Sequence, residues 1–487
     1  MLKFKKSVIL ILSLTFLLSS VILFGCKNSE KEITTYDIKC SFEENKLTAS
    51  QTVTFHNDTD KVLEQLKFNL FANAFRKDAK FSPVSAGHQS QCYPNGASYG
   101  GMEITAVTDG EQMLEYQISG EDKNILCVAL KEELFPDESV VVCIDFTTTL
   151  ANVVHRTGIN ANTVNLANFY PILCAIDEQG FYECVYYANG DPFYSEIANY
   201  NVEFSVSNEY VVAGAGELVE EIVSKGLKTY KYQLNNARSF TMVLSKNYKT
   251  LTHNQTGIPI TYYYYDDANP EKSLEYAVKS VTLFESLFGE YPFKTYTVVQ
   301  TEFVQGGMEF SAFSMISDNL DEKAYGEVIV HETAHQWWQA GVGNNEIEYG
   351  FLDEGLAEYS VVCFYENYPE YGLSRGQLIK SSETTYKTYC TVSDKLFGKV
   401  DTSMVRSLDQ FKSEYEYVNL AYVKPCIMYD NLRSTAGEQK FFNSLRNYYN
   451  ENLYEIATPD DLISAFIKCG VDADGYLRSF FDGKAVI

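Results

Sequence analysis

Two histidines four residues apart, a glutamate between them and a second glutamate further on constrain this chain more than anything else in it. Read as a helix, His331-Glu332-Thr333-Ala334-His335 sets both imidazoles on one face, one turn above the other. Two neutral imidazoles so placed hold one Zn²⁺, and Glu332 between them can reach a water at that ion. Eighteen residues separate His335 from Glu354, room for one connection and the start of a second helix carrying an anionic third ligand. Three protein ligands leave the fourth tetrahedral position open, which a catalytic zinc site requires and a structural one does not. The residues therefore imply a zinc-dependent hydrolase, with one Zn²⁺ per chain on His331, His335 and Glu354.

The chain begins with what reads as an export signal. Lys3, Lys5 and Lys6 precede an apolar run from Val8 to Phe24, broken only by Ser and Thr. The run ends in Leu23-Phe24-Gly25-Cys26, which looks like a bacterial lipobox whose cysteine becomes the lipidated N-terminus. The expectation is a signal peptide over residues 1–25, lipidation at Cys26, a polar tether over 26–33, and anchoring to the outer face of the cytoplasmic membrane. Two acyl chains suffice for that where one is marginal. An uncleaved signal anchor is the alternative, the run being nearly long enough to span a bilayer.

The formal net charge of −26 argues against nucleic acid as a partner and against anionic headgroups bound by charge. Eleven cysteines become ten once Cys26 is set aside. None forms a CxxC cluster, so a cysteine-ligated metal is not expected. Cys127 and Cys143 flank the Phe135-Pro136-Asp137 turn, and Cys174 and Cys184 flank Asp177-Glu178-Gln179-Gly180. Disulfides across those hairpins and buried free thiols are both open.

Residues 34–251 read as strands, as in Leu47 to Phe55, Ile125 to Leu130, Ser139 to Phe146 and Tyr200 to Val206, separated by Asn-, Asp-, Gly- and Pro-bearing turns. Asn160 to Tyr187 is a candidate surface facing a site. The histidines outside the HExxH segment are scattered and support no second histidine-ligated metal. After Gly257 the pattern becomes mixed: a strand at Thr261 to Tyr265, helical spacing from Glu271 to Phe288, a strand at Tyr296 to Thr301, then Gly306-Gly307-Met308-Glu309-Phe310. Two glycines let a ligand's backbone approach an edge strand, and Glu309 sets a carboxylate beside it. Thr458-Pro459-Asp460-Asp461 opens a late helix that Gly470 ends. Trp337-Trp338 reads as core.

Taken together, Glu309, His331, His335 and Glu354 resemble the aminopeptidase N family of gluzincins, which also includes the leukotriene epoxide hydrolase. That family carries Gly-x-Met-Glu-Asn shortly before HExxH and a third ligand after an eighteen-residue spacer. Here Gly307 stands where Ala is usual and Phe310 where Asn is. Leu352-Asp353-Glu354-Gly355-Leu356-Ala357 agrees with the family, and Tyr422-Val423-Lys424 looks like its Tyr-x-Lys segment, with Pro425 in place of Gly.

The resemblance implies that Tyr422 donates to the oxyanion on the scissile carbonyl. It implies that Glu309, with Gly306, Gly307 and Met308, binds substrate and holds its free α-ammonium. Glu358, one turn beyond Glu354, is a candidate to orient a ligand histidine. Glu332 would act as general base and then general acid. The expected fold is α+β: a β-rich, saddle-like domain over 34–251, with an open antiparallel sheet on a smaller one, then a thermolysin-like mixed domain over 252–487. Family members with a helical C-terminal domain close it over the site; without one, a more open cleft is expected. The leading function is a cell-surface zinc aminopeptidase acting on peptides with a free N-terminus. The alternatives are an endopeptidase or epoxide hydrolase on the same fold, or a non-catalytic peptide-binding lipoprotein.

Overall fold

The computed structural model describes residues 32–485 and 487. The export signal, Cys26 and most of the tether lie outside the described residues. No helix among them is long and apolar enough to cross a membrane.

Thr34–Ile487 is one compact unit. Its largest sheet has seven strands: β1 (Thr35–Glu43), β2 (Lys46–His56), β3 (Gly101–Thr108), β4 (Ser139–Thr149), β5 (Ala198–Ser207), β6 (Glu217–Ser224) and β7 (Leu227–Ala237). They run in the order β6-β7-β5-β1-β2-β4-β3. β1 and β5 pair in parallel, and every other neighbour is antiparallel. Buried and more exposed residues alternate along β1, β2 and β5, because a strand turns successive side chains to opposite faces and only one face here meets a core. Into that core project Tyr36 and Tyr200, stacked with ring centroids 5.0 Å apart, and Tyr170 edge-on to both. Two four-stranded sheets pack beneath.

The Phe135-Pro136-Asp137 turn does not close a hairpin. Ile125–Leu134 pairs in a four-stranded sheet, whereas β4 pairs in the large one, so Cys127 and Cys143 do not face each other. All ten described cysteines are free thiols.

A second sheet carries the later half: β8 (Lys249–His253), β9 (Ile260–Tyr264), β10 (Tyr296–Thr301), β11 (Gly307–Phe310) and β12 (Phe313–Ser317), in the order β8-β9-β10-β12-β11. β8 pairs only within this sheet, so the boundary expected after Leu251 falls inside one of its strands. β9, β10 and β12 are parallel, and β11 is an antiparallel edge. β10 and β12 are buried along their whole length, in keeping with their mostly apolar sequence: both faces are covered. One face meets a four-stranded sheet, through Thr163 Oγ1–Thr301 Oγ1 at 2.9 Å and Thr297 Oγ1 donating to Gly214 O at 3.3 Å.

Helices cover the other face: α1 (Pro270–Phe288), α2 (Glu322–Ala334), α3 (Phe351–Asn367), α4 (Arg375–Phe397), α5 (Lys424–Ala436), α6 (Glu438–Glu451) and α7 (Pro459–Lys468). α7 opens with a capping box between Thr458 and Asp461, which satisfies N–H groups that the helix cannot. Trp337 and Trp338 are almost completely buried and donate to Gly289 O and Ser360 Oγ at 2.9 and 3.1 Å. They lock the end of α2 to α1 and α3, as core residues.

Candidate metal centre and active site

α2 starts at Asp321, whose carboxylate caps Ala324 N at 2.9 Å, and ends as it delivers the two histidines. α3 presents Glu354 in its first turn. His331 Nε2, His335 Nε2 and Glu354 Oε2 meet at 3.1, 3.2 and 3.3 Å from one another. Ligands about 2.0–2.1 Å from a tetrahedral ion lie ~3.3 Å apart, so the spacing is that of three corners of a zinc site.

The chemistry of the donors agrees. His335 Nδ1 donates to Trp338 O at 3.0 Å, and His331 Nδ1 lies 3.5 Å from Glu358 Oε2. Both rings are thereby set to offer a lone pair at Nε2. Two lone pairs and a carboxylate oxygen converging without a donor between them repel, and a cation resolves that. These residues fit Zn²⁺.

The three donors line a cavity of about 400 Å³ shared with Glu332, Gly306, Gly307, Glu309, Glu358, Tyr417 and Tyr422. Burial pushes the Glu332 carboxyl up to about 7, and its Oε2 has no partner. Tyr422 lies on a single π-helical turn, Val418–Val423, and π turns recur at functional sites. Its ring stacks on His331 at 5.8 Å and its hydroxyl donates to Glu354 Oε1. Glu309 is buried on the edge strand with Oε1 unpartnered, and burial first and Asp191 second raise its carboxyl well above the ordinary range.

Strand alternation corrects one expectation. Gly307 and Glu309 face the cavity, and Met308 between them turns into the core at 3% exposure, so Met308 does not line the site. Gln336 holds this edge strand against the metal helix: its Nε2 donates to Phe310 O at 3.1 Å, and Ala312 N donates to its Oε1 at 2.8 Å.

The β half contributes residues the sequence did not point to. The cavity is lined by Arg156 and by Ala188 to Asp191, not by the Asn160 to Tyr187 stretch expected to face it. Arg156 and Asp191 form a buried ion pair. Gly190 has φ +67°, and a Cβ there would come within 2.6 Å of Leu408 and 2.9 Å of Tyr417. His88 and Glu414 approach to 3.6 Å across the cavity wall.

A mixed sheet, a helical lobe and a two-histidine, one-glutamate cluster are the arrangement that catalytic zinc sites of the thermolysin type use. Residues 272–482 match the model of the peptidase family M1 domain. Aminopeptidase M1-A of Oryza sativa subsp. japonica is 24% identical over 330 residues, which are 59% of this chain and 36% of that protein. The chain thus spans about a third of the length of the curated relative it matches. An M1 zinc metallopeptidase from Deinococcus radiodurans superposes with a TM-score of 0.67 at 16% identity, covering 94% of this chain and 95% of that one. A mutant of that enzyme bound to a Tyr-Ser-Ala substrate gives 0.64 at 17% identity over the same shares. At such identity the likeness is one of fold.

Proposed function

We propose that this protein is a zinc-dependent aminopeptidase that removes N-terminal residues from peptides. The observation that carries the reading is one cavity holding the three metal donors, the unpartnered carboxylate of Glu332 and, on the edge strand, the buried carboxylate of Glu309. The Oryza relative is named an aminopeptidase, and a Deinococcus structure holds a tripeptide substrate.

Zinc in the site supplies Lewis acidity and activates a water near neutral pH. Glu332 takes the proton from the attacking water and passes it to the leaving amine, a task its unpartnered Oε2 in the cavity leaves it free to perform. The Tyr422 hydroxyl, already aimed at the metal donors through Glu354, donates to the oxyanion that develops on the scissile carbonyl. Glu309 binds the substrate's α-ammonium and so sets the cut one residue from the N-terminus. Gly306 and Gly307 let the substrate backbone approach the strand. Glu358 holds the His331 ring.

Paired panels of free-amine and N-acetylated fluorogenic peptides test the reading. Cleavage confined to the free-amine set is expected; equal cleavage of both would make the protein an endopeptidase. We further propose that the chain is an exported lipoprotein anchored through Cys26, supported by the basic leader, the apolar run and the Gly-Cys junction. Metabolic labelling with a fatty-acid precursor should mark the wild type and not Cys26→Ser; label on both would remove the anchor.

A further inference from the structure

Glu309 reaches the cavity from the least supported strand of its sheet. β11 has four residues and is an edge, bonded to β12 alone, so strand pairing holds it on one side only. The free amine of a peptide lies two covalent bonds from the first carbonyl carbon, about 2.5 Å away. A group that anchors that amine must therefore keep a close distance to the metal, since a misplacement of about 1 Å costs on the order of a hundredfold in rate. An edge strand needs a second support to meet that demand.

The support comes from the residue next to a metal donor. Gln336 follows His335 directly, and its side chain is fully buried. Its amide spans the turn between β11 and β12: Nε2 donates to the carbonyl of Phe310, the residue after Glu309, and Oε1 accepts from Ala312 N. Ala312 has φ +58°, a left-handed conformation that an alanine keeps only where its surroundings hold it. Ser311 in the same turn accepts through Oγ from Arg238 N at 3.1 Å. β12 has its own tie to α2, Ser314 Oγ donating to Glu332 O at 3.3 Å, whereas β11 reaches the end of that helix through Gln336. The path from metal donor to amine anchor is thus His335 to Gln336, one hydrogen bond, and Phe310 to Glu309.

We propose that Gln336 is a positioning residue for the exopeptidase cut: its amide sets the distance between Glu309 and the metal, and with it the one-residue register. The role rests on the aminopeptidase reading and on Glu309 as the amine anchor. Gln336 acts through Glu309 and touches neither the substrate nor the metal. The rings of His335 and His331 are set by Trp338 O and Glu358 instead, so removing the amide loosens the anchor and spares the donors.

Competitive inhibition by L-phenylalaninamide and by 3-phenylpropanamide, which lacks only the amine, tests the role. The ratio of the two inhibition constants measures what the amine contributes. Gln336→Met keeps the length of the side chain and removes both hydrogen bonds, and Gln336→Asn keeps an amide one carbon too short to span the turn. In each, the ratio should fall about tenfold or more with zinc at one per chain. A structural role alone would lower the melting temperature and leave the ratio where it is, so an unchanged ratio in either folded, zinc-loaded variant would overturn the proposal. A ratio that falls only together with the zinc content would also overturn it, by making Gln336 a support of the metal site. A wild-type ratio near one would instead remove the amine anchor, and the aminopeptidase reading with it, before any variant is compared.

Discussion

At the scale of single residues, Glu332 is the proposed proton carrier and Gly307 makes room for it. A Cβ at position 307 would lie 2.3 Å from Glu332 Oε1, closer than real atoms pack, so glycine here is required by the carboxylate across from it. The departure from the family's usual Ala thus has a physical counterpart in the way Glu332 sits. Replacing Glu332 by Gln leaves the metal donors intact and removes the proton carrier, so turnover should fall by about 10²–10⁴ while zinc content, read by mass spectrometry, stays at one per chain. Loss of zinc together with activity would instead give Glu332 a structural role. Gly307→Ala should lower kcat about tenfold or more by displacing that carboxylate, with a melting temperature close to wild type. An unchanged kcat would show that Glu332 works from another position.

Elements explain why distant residues meet. α2 and α3 each deliver one end of the metal site, and the π turn at Val418–Val423 rotates Tyr422 onto His331. α5 follows that turn, and its Pro425 packs where a Cβ on Gly355 would approach to 2.5 Å. The two helices therefore interlock at a glycine and a proline, a pairing that accommodates the proline standing where the family has glycine. Tyr422→Phe keeps the ring and the stack and removes only the hydroxyl. Its kcat should drop about 10²–10³-fold with little change in KM; a near-normal rate would assign the oxyanion contact to another donor, such as Tyr417, which also lines the cavity.

Across the whole molecule, the β half holds titratable groups that stability depends on. Full burial, reinforced by Arg156, pushes His155 down to about 3, and its ring hydrogen-bonds to Pro83 O at 3.1 Å. The folded state thus keeps His155 neutral where the unfolded chain, titrating near 6.5, takes up a proton. The unfolded state binds more protons between those values, so this residue's contribution is intact above about pH 6.5. It is lost as pH falls towards 3, at about 1.4 kcal/mol per pH unit. Urea midpoints measured from pH 7 to pH 4 should fall less steeply in His155→Gln than in wild type. Acid release of zinc affects both proteins and drops out of the difference; equal slopes would place the acid sensitivity elsewhere.

How far the sequence reached follows from how each signal is written. Spacing along a helix is a local property, so His331, His335 and their glutamate were legible before any fold was known, and so was Glu354 once a second helix could be supposed. Period-two alternation marked β2, β4 and β5 for the same reason. Met308 was misread because its neighbours on both sides face the cavity, and only the strand's orientation in the sheet says which of the three turns away. The boundary expected after Leu251 falls inside β8, because that strand pairs with β9 just after it. Arg156, Asp191 and Tyr417 carry no spacing rule that relates them to the metal helix. They reach the cavity because the β half and the helical lobe pack as one unit. Covalent spacing alone determined the zinc chemistry; tertiary packing decided which carboxylates surround it, since through-space charge and burial have no counterpart in the order of residues.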